Sequence, residues 1–320
     1  MNFILRRLVI SLVTMFLVSL FCFLAFSVIP GDPAVSMAGT NASDEYVEML
    51  REEMGLNRNI FVRYFDWLIN FIAGSPGDSL RFRQPISSMI TERLPVSFTL
   101  AFLSLFFILL ISVPASLLTV KKEGGLIDRI INIFTAAGMS IPGFFLGLLF
   151  IWFFGLVLKL FLPGNYIDYR ENFAGFIGCL IFPSLAIAIP NASILIKFLR
   201  SSLFAELKSD YVRTAKSKGA GWFYILRRHV LKNAAIPAIT ILGMIFAEVL
   251  SGSIIIEQVF SIPGIGRLLI AAITSRDYPL IQALMVYITF FIVFANTLAD
   301  IAIMIIDPRI GRQSLPKGQK

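Results

Sequence analysis

Six long apolar runs alternate with polar segments along the chain. Each run reaches the length of about 20 residues that a helix needs to cross the hydrocarbon core of a bilayer. The runs cover residues 8–29, 96–118, 131–158, 176–199, 234–256 and 279–306. The pattern therefore predicts an all-α, polytopic membrane protein with six transmembrane helices.

Prolines lie inside the third and fourth of these runs. The stretch SIPGFF at 140–145 places Pro142 inside the third run, and the fourth run contains Pro183 and Pro190. A proline inside a helix removes a backbone donor and clashes with the preceding turn, so it kinks or breaks the helix. We expect a break near Pro142, either as a packing kink or as the lining of a polar path.

Residues 30–95 form a long polar segment between the first two runs. In NASDEYVEMLREEMGL, Ser43 has the position of an N-cap and Gly55 that of a helix stop. A second helix is predicted over FVRYFDWLINFIAG, where apolar side chains recur on one face. These side chains are Phe61, Phe65, Leu68 and Ile72. The two helices would form a cap on the membrane surface or contact an external partner.

Composition places the apolar runs in a membrane rather than in a soluble core. Of the 320 residues, 57% are hydrophobic and 15% are charged, and the mean hydropathy is +0.81. Soluble domains carry about 25% charged residues. The two cysteines lie far apart in apolar runs, and His229 is the single histidine. The sequence therefore offers neither a disulfide framework nor a set of metal ligands, and we expect no metal site.

The basic residues are concentrated on one side of the predicted spans. That side includes both termini and the loop 200–232, and it carries 18 Lys and Arg against 5 Asp and Glu. The opposite side carries 10 basic and 13 acidic residues. By the positive-inside rule, both termini and the loop 200–232 are cytoplasmic. The net charge of +8 thus reflects membrane topology, and we expect no nucleic-acid partner.

Three polar residues inside the predicted spans are candidates for a functional role. They are Glu248, Asn296 and Asp300. Such groups are costly in hydrocarbon and usually face the interior of a bundle or a water-filled cavity. We expect them to face the bundle interior, either as hydrogen-bonding groups that stabilise it or as part of a transport path.

The segment SGSIIIEQVFSIPGIGRLLIAAITSRDYPL at 251–280 follows the fifth run. It is too apolar for a free loop, yet Pro263, Gly264 and Gly266 do not allow one continuous helix. Irregular backbone at membrane depth is tolerated where protein or water satisfies its polar groups. The pattern predicts a re-entrant or shallowly inserted hairpin.

Sequence motifs of catalysis are missing from this chain. It contains no GxxxxGK[ST] phosphate-binding loop, no HExxH zinc motif and no GxSxG nucleophile elbow. Such a chain is not expected to be an enzyme. It either moves a solute by itself or depends on another chain for energy.

A basic segment separates the fourth and fifth runs. From Leu203 to Lys218, Leu203, Leu207, Tyr211 and Ala215 recur at intervals of four, which predicts a helix with a narrow apolar face and a basic rim. Gly219 can supply its left-handed stop. Such a helix lies against anionic lipid or inserts into a groove of another protein.

The residues of this segment resemble a known signature. DYVRTAKSKG followed by RRHVLKNAAIP is similar to the cytoplasmic loop of membrane subunits from binding-protein-dependent ABC importers, in particular the peptide/nickel branch. Further stretches match in order and spacing: FILRRL, IPGDPA, GLNRNIFVRYFDWL, ERLPVSFTL, SIPGFFLGLLF, IIIEQVFSIPGIGRLL, RDYPLIQAL and DPRIG. The triplet Arg213-Thr214-Ala215 replaces the Glu-Ala-Ala of the general signature, and Pro237 lies further downstream than that signature places its proline. The long segment after the first run resembles the first, or B-type, permease of the pair.

The resemblance implies a division of the chain and a set of partners. Residues 1–95 would hold the first span and the extracytoplasmic segment, residues 96–306 a five-helix permease core with a coupling helix at about 203–219, and residues 307–320 a cytoplasmic tail. The chain would pair, in a bacterial inner membrane, with a second homologous permease. Two ABC ATPase subunits would bind ATP and Mg, so no cofactor is expected on this chain. An extracytoplasmic substrate-binding protein would deliver the solute.

The resemblance also assigns two groups of site residues. ATPase coupling is implied for Asp210, Tyr211, Val212, Arg213, Thr214, Ala215, Lys216 and Gly219. A hairpin facing the binding protein near the outer gate is implied for Glu257, Phe260, Pro263, Gly264 and Gly266.

The substrate stays open at this point. The peptide/nickel branch transports dipeptides, oligopeptides, nickel chelates, glutathione and some oligosaccharides, and we expect di- or oligopeptides. The main alternative class is an ion-coupled secondary transporter, which would need carboxylates in its spans. Glu248 and Asp300 are the carboxylates available for that role.

Overall fold

The computed structural model describes residues 3–28, 33–38, 43–53, 55–120 and 123–306. Within these ranges the chain forms α-helices and no β-strand, as predicted. The helices are α1 (Phe3–Val28), α2 (Pro33–Ala38), α3 (Asp44–Glu53), α4 (Ile60–Ile72), α5 (Ile86–Thr119), α6 (Leu126–Ser140), α7 (Gly143–Phe150), α8 (Phe173–Leu207), α9 (Asp210–Ser217), α10 (Trp222–Ile225), α11 (Leu231–Val259), α12 (Ile265–Thr274) and α13 (Tyr278–Ile306). π-Helical segments at Ile151–Val157 and Leu226–Val230 extend α7 and join α10 to α11. The tail expected at 307–320 lies outside the described residues.

Within the described ranges, five helices are long and apolar enough to cross a membrane. Their spans are Leu5–Ser27, Ile86–Thr119, Phe173–Leu207, Trp222–Leu250 and Tyr278–Ile301. α6 and α7 with its π-helical extension are together apolar and long enough for a further span, and the two pieces bend by 98° at their junction. With this bent pair counted as one span, the prediction of six spans is confirmed.

The break in the third span falls at the predicted proline. α6 ends at Ser140, and Pro142 precedes the first residue of α7 in an extended conformation. Proline cannot donate the backbone hydrogen bond that would continue α6, so the helix restarts after it. A Cβ atom at Gly143 would lie 3.1 Å from the carbonyl oxygen of Ala186, so the glycine lets α7 approach α8 closely.

The helices α5 and α8 form the centre of the bundle and pack against each other more extensively than any other pair. α8 runs without interruption through Pro183 and Pro190. Both helices carry small buried side chains. They include Ala101, Ser104, Ser112 and Ser116 on α5 and Ser184, Ala186, Ala188, Ala192 and Ser193 on α8. Small residues let membrane helices approach closely, so van der Waals packing stabilises a pair that gains no hydrophobic free energy from lipid.

The chain order gives the bundle two distinct ends. α9 precedes α11 and α12 follows it, so these two short helices lie at opposite ends of the long helix. We call them the α9 end and the α12 end. The described chain begins and finishes at the α9 end, where Arg7 of α1 and Asp300 of α13 form an ion pair of 3.0 Å.

The predicted helices between the first two spans are present. The Ser43 hydroxyl accepts a hydrogen bond from the N–H of Tyr46, which confirms it as the N-cap of α3. In α4, Tyr64 is buried and its hydroxyl is 2.8 Å from that of Ser19 on α1. Five apolar side chains of α4 are exposed: Phe61, Val62, Phe65, Ile69 and Ile72. Phe61, Phe65 and Ile72 belong to the face that the sequence predicts. α4 therefore packs sideways on α1 through a second face that the sequence pattern did not reveal.

Candidate functional site

The basic segment at the α9 end forms two helices rather than the single one predicted from Leu203 to Lys218. α8 continues to Leu207, the chain turns at Lys208 and Ser209, and α9 begins at Asp210. The Ser209 hydroxyl donates to the carbonyl oxygen of Glu206, one of the last carbonyls of α8, at 2.5 Å. Ser209 itself has an extended backbone. Serine competes well for backbone groups at helix ends, which explains the turn inside a continuous apolar pattern.

The inward face of α9 fixes it to the bundle. Val212 is buried, and Tyr211 and Ala215 are partly buried against the main hydrophobic core. The Tyr211 hydroxyl donates a hydrogen bond to the carboxylate of Glu206. Burial, and secondly this bond to Glu206, raises the pKa of Tyr211, so the phenol remains a donor at neutral pH. The inward face of α9 is therefore fixed to the end of α8 and to the main hydrophobic core.

The end of α9 has the predicted geometry. Gly219 adopts a φ of +78°, the left-handed conformation that glycine reaches without steric cost. The N–H of Ala220 donates to the carbonyl oxygen of Ala215 at 3.1 Å, which is the longer bond of a Schellman cap. The cap fixes where the chain leaves the helix.

The outward face of α9 is polar and exposed. The side chains of Asp210 and Arg213 are 96% and 83% exposed and lie 3.7 Å apart. Thr214 and Lys216 are exposed as well, and the Lys216 ammonium lies 5.6 Å from the centre of the Trp222 ring. An eight-residue helix with one face held in the core and the other presenting a mixed, mainly basic surface is suited to fit a groove of a partner protein.

An ion pair close to this end was missed by the sequence analysis. Asp128 at the start of α6 accepts two hydrogen bonds, of 2.6 and 2.8 Å, from the guanidinium of Arg200 on α8. The N–H of Gly124 donates to the same carboxylate at 2.9 Å. Asp128 and Arg200 are 72 positions apart, so no local pattern identifies them as partners. The pair fixes the start of the bent third span to α8.

A buried carboxylate organises the α12 end. Glu257 near the end of α11 is fully buried, and one of its oxygens accepts a hydrogen bond of 2.7 Å from the Ser97 hydroxyl of α5. The other oxygen accepts from the N–H of Arg267 at 3.0 Å. The Ser97 hydroxyl in turn accepts from the N–H of Ile265 at 2.9 Å. Side chains of α5 and α11 thus satisfy the free N–H groups at the start of α12 and replace an N-cap residue.

Both glycines of the predicted hairpin are required by close contacts. A Cβ atom at Gly264 would lie 2.3 Å from the carboxyl carbon of Glu257, and one at Gly266 would lie 2.5 Å from the Cα of Ile254. Pro263 ends the turn between α11 and α12, and the buried ring of Phe260 lies 6.3 Å from that of Phe161. Of the five residues singled out in this hairpin, Phe260, Pro263 and Gly264 lie between the helices, while Glu257 lies near the end of α11 and Gly266 in the first turn of α12. A short helix, α12, forms its second arm.

A second buried carboxylate at this end, Asp277, was not identified from the sequence. It lies directly before α13 and accepts hydrogen bonds from the Ser79 hydroxyl and from the N–H groups of Leu80, Arg81 and Leu280. The first three donors lie almost 200 positions earlier in the chain. Asp277 therefore caps α13 and holds the loop before α5 in place.

A cavity lies beside the hairpin at the α12 end. Its lining includes Tyr166, Cys179, Phe260 and Ile262. Burial, and secondly the nearby Asp168 carboxylate, raises the pKa of Tyr166 to about 12. The phenol is therefore neutral at physiological pH, and the four side chains contribute no charge to the cavity.

The three polar residues of the predicted spans occupy different environments. Asp300 pairs with Arg7. Glu248 and Asn296 lie at exposed positions of α11 and α13. Within this single chain they therefore do not face the bundle interior, contrary to the expectation from the sequence. Glu248 continues an exposed stripe of α11 with helical spacing. Its other members are Asn233, Pro237, Thr240 and Met244.

The described ranges contain no cluster of metal-ligating side chains. No group of three or more His, Cys, Asp or Glu side chains there has the proximity that a metal ion needs.

Comparison with known proteins places this geometry in a family. Residues 112–312 match the family described as binding-protein-dependent transport system inner membrane component, and residues 1–101 match the N-terminal region of such membrane components. A probable peptide ABC transporter permease of Sinorhizobium fredii is 36% identical over 308 residues, which are 96% of this chain and 98% of the relative. A putative peptide transport system permease of Brucella abortus is 34% identical over 307 residues, with the same shares.

Two further similarities support the assignment. The glutathione transport system permease protein GsiC of Escherichia coli strain K12 is 31% identical over 310 residues, which are 97% of this chain and 99% of the relative. A chain from a structure of the MetNI methionine ABC transporter in an inward-facing conformation superposes with a TM-score of 0.54 at 16% identity. The superposition covers 68% of this chain and 96% of that chain, and it shows the fold alone. The chain therefore belongs to the binding-protein-dependent transport system inner membrane components and is a permease subunit of an ABC transporter.

Proposed function

We propose that this permease forms one half of the translocation path of an ATP-driven importer for di- or oligopeptides. The observation that carries the substrate class is the identity of 34–36%, over almost the whole chain, to relatives named as peptide permeases. Glutathione, the solute named for the relative at 31%, is itself a small peptide. Nickel chelates and oligosaccharides are the alternative solutes.

The energy is supplied by two ATPase subunits that bind ATP and Mg. This chain lacks a phosphate-binding loop of its own. The exposed side of α9, with Asp210, Arg213, Thr214 and Lys216, docks into a groove of one ATPase subunit. The support for this role is the combination of a fixed apolar face and a free polar face on one short helix.

The α9 end is cytoplasmic. By sequence, the side of the predicted spans that includes the loop 200–232 holds 18 of the 28 basic residues, and a bacterial permease retains such segments inside the cell. α12 and the loop before α5 then lie outside, where an extracytoplasmic binding protein releases its solute.

A second, homologous permease covers the exposed stripe of α11. Glu248 is too polar to face hydrocarbon, because an ionisable side chain there costs several kcal/mol. Together with the rest of the stripe, it faces the partner permease and the path between the two subunits. The same helix continues from the α9 region to Glu257, so a displacement of α9 by the ATPases changes the position of the outer hairpin.

The test is uptake by the reconstituted complex. The permease pair, the ATPase pair and the binding protein are placed in proteoliposomes with labelled di- and oligopeptides outside. Uptake should require ATP on the side of α9 and the binding protein on the other side. Uptake driven by a proton or sodium gradient without ATPase subunits would instead support a secondary transporter. The solute bound by the cognate binding protein identifies the substrate class.

A further inference from the structure

A short loop at the α12 end is held rigidly by its own backbone. It runs from Gly77 to Ile86, whose N–H donates to the carbonyl oxygen of Gly77 at 3.0 Å. Inside it, the N–H of Ser79 donates to Gln84 and that of Arg83 donates to Ser79, both at 3.0 Å. The loop therefore has a defined conformation before any partner binds.

The buried carboxylate of Asp277 anchors this loop from below. It binds the Ser79 hydroxyl and the N–H groups of Leu80 and Arg81, and the Ser79 hydroxyl also accepts from the N–H of Phe82. With the backbone groups directed inward, the side chains of the loop tip are left on the surface.

The side chains around this anchor form an exposed basic patch. Arg81, Arg83 and Arg276 are exposed, and none of them forms an ion pair with a residue that the structure describes. Phe82 lies among them with 43% of its surface exposed. We call these four residues the arginine patch.

Backbone strain accompanies the patch. Arg83 and Arg276 have φ values of +52° and +55°, in the left-handed region that arginine rarely adopts. Such outliers cost about 1–3 kcal/mol each and persist where the surrounding structure enforces them, often at binding sites. Here Asp277 directly follows Arg276, and the N–H of Arg83 donates to the carbonyl oxygen of Ser79, whose hydroxyl binds Asp277.

The patch differs in charge from its surroundings. The arginine patch belongs to the side of the predicted spans that carries 13 acidic and 10 basic residues. Three of those ten basic residues lie together in the patch. Arginine and aromatic side chains are enriched at protein interfaces, and a preformed loop loses little entropy on binding. The chemistry fits an acidic protein surface.

The patch is also continuous with the hairpin that we assign to the binding protein. The first turn of α5, directly after the loop, contributes Ile86, Met89 and Ile90 to one hydrophobic cluster with Leu268 and Leu269 of α12. A partner seated on the hairpin would therefore reach the loop.

We propose that the arginine patch docks an acidic surface of the extracytoplasmic substrate-binding protein. This inference rests on the proposed function. Opposite charges at an interface mainly raise the association rate and fix the orientation of the partners. The patch would thus favour the orientation in which the loaded binding protein docks on the permease.

The experiment measures ATPase activity of the complete complex in nanodiscs of zwitterionic lipid as loaded binding protein is added. In Arg81→Glu/Arg83→Glu, the concentration for half-maximal stimulation should rise about tenfold or more, with basal activity unchanged. In the wild type the same concentration should rise with salt. Arg81→Gln/Arg83→Gly removes the charge without an acidic residue at positive φ and should give a smaller rise. The matched control is Arg170→Glu, an exposed arginine in another loop of the same end, which should behave like the wild type.

The outcomes separate the alternatives. An unchanged half-maximal concentration in the charge-reversed variant, or an equal rise in Arg170→Glu, would overturn the docking surface. A defect that appears without binding protein and depends on anionic lipid would assign the patch to lipid head groups instead. A wild-type complex that no binding protein stimulates would contradict the proposed function itself. Acidic-to-basic substitutions on the binding protein that restore the double variant would support the proposal directly.

Discussion

The hydroxyl of Ser97 donates a hydrogen bond of 2.7 Å to the buried carboxylate of Glu257. The two residues are 160 positions apart and lie on α5 and α11, and the same hydroxyl accepts from the first N–H group of α12. One serine therefore connects three helices at the end of the bundle that we assign to the outside.

Ser97→Ala should destabilise this end of the permease. The substitution leaves a buried carboxylate oxygen and the N–H of Ile265 without their partner, which costs about 1–3 kcal/mol for each buried group. Thermal unfolding of the purified protein in detergent measures the loss. Ser253→Ala is the control, since its hydroxyl lies 3.4 Å from the same carboxylate and contributes a weaker bond. Equal losses in the two variants would contradict the role of Ser97.

Gly264→Ala should be destabilising because its Cβ would lie 2.3 Å from the Glu257 carboxyl group. Forcing an extra methyl group into a packed site costs about 1–3 kcal/mol. In a Glu257→Ala background the same substitution should cost less, since the atoms it meets are gone. Gly178→Ala, with no atom within 4 Å of the new Cβ, provides the neutral control. A Gly264→Ala penalty that does not depend on residue 257 would show that the contact is not the cause.

The Asp128–Arg200 pair should contribute far more to stability than the exposed pair between Lys208 and Glu123. The Asp128 side chain is 3% exposed, so replacing Arg200 by Ala leaves a buried charge without its ionic partner, at a cost of about 3–5 kcal/mol. Exposed pairs contribute about 0–1 kcal/mol. Double-mutant cycles for both pairs, followed by thermal unfolding, measure the two coupling energies. Similar values would indicate that the first pair is solvated in the membrane-embedded protein.

The outward face of α9 should matter for coupling and not for folding. Arg213→Glu/Lys216→Glu reverses two charges that contact no core residue, so unfolding should be unchanged while the ATPase subunits no longer co-purify. Val212→Asp should unfold the segment, since it places a charge in the core. Arg129→Glu, an exposed arginine near the same end, is the control. Normal co-purification of the double charge-reversed variant would remove α9 from the docking site.

Local patterns in the sequence predicted the parts of the fold that depend on local chemistry. The apolar runs identified the spans, Pro142 identified the break, and Gly219 identified the left-handed stop. The turn at Ser209 was missed because the apolar spacing continues across it. The hydrogen bonds at the end of α8 determine that the helix stops there.

Contacts between distant residues could not be predicted in the same way. Glu257 was recognised as part of the hairpin, but its partner Ser97 belongs to a helix that starts far earlier in the chain. Asp277 and the loop at Ser79 are a second example. A single sequence contains no signal that joins such positions, and their pairing depends on how the helices pack.

The most direct test of the central claim is peptide uptake into proteoliposomes that contain the permease pair and the ATPase subunits. With loaded binding protein outside and ATP inside, labelled peptide should accumulate, and Arg213→Glu/Lys216→Glu should abolish accumulation while Asp300→Asn should leave it largely intact. Accumulation that follows an ion gradient, needs no ATPase subunits and is lost in Asp300→Asn would contradict the account.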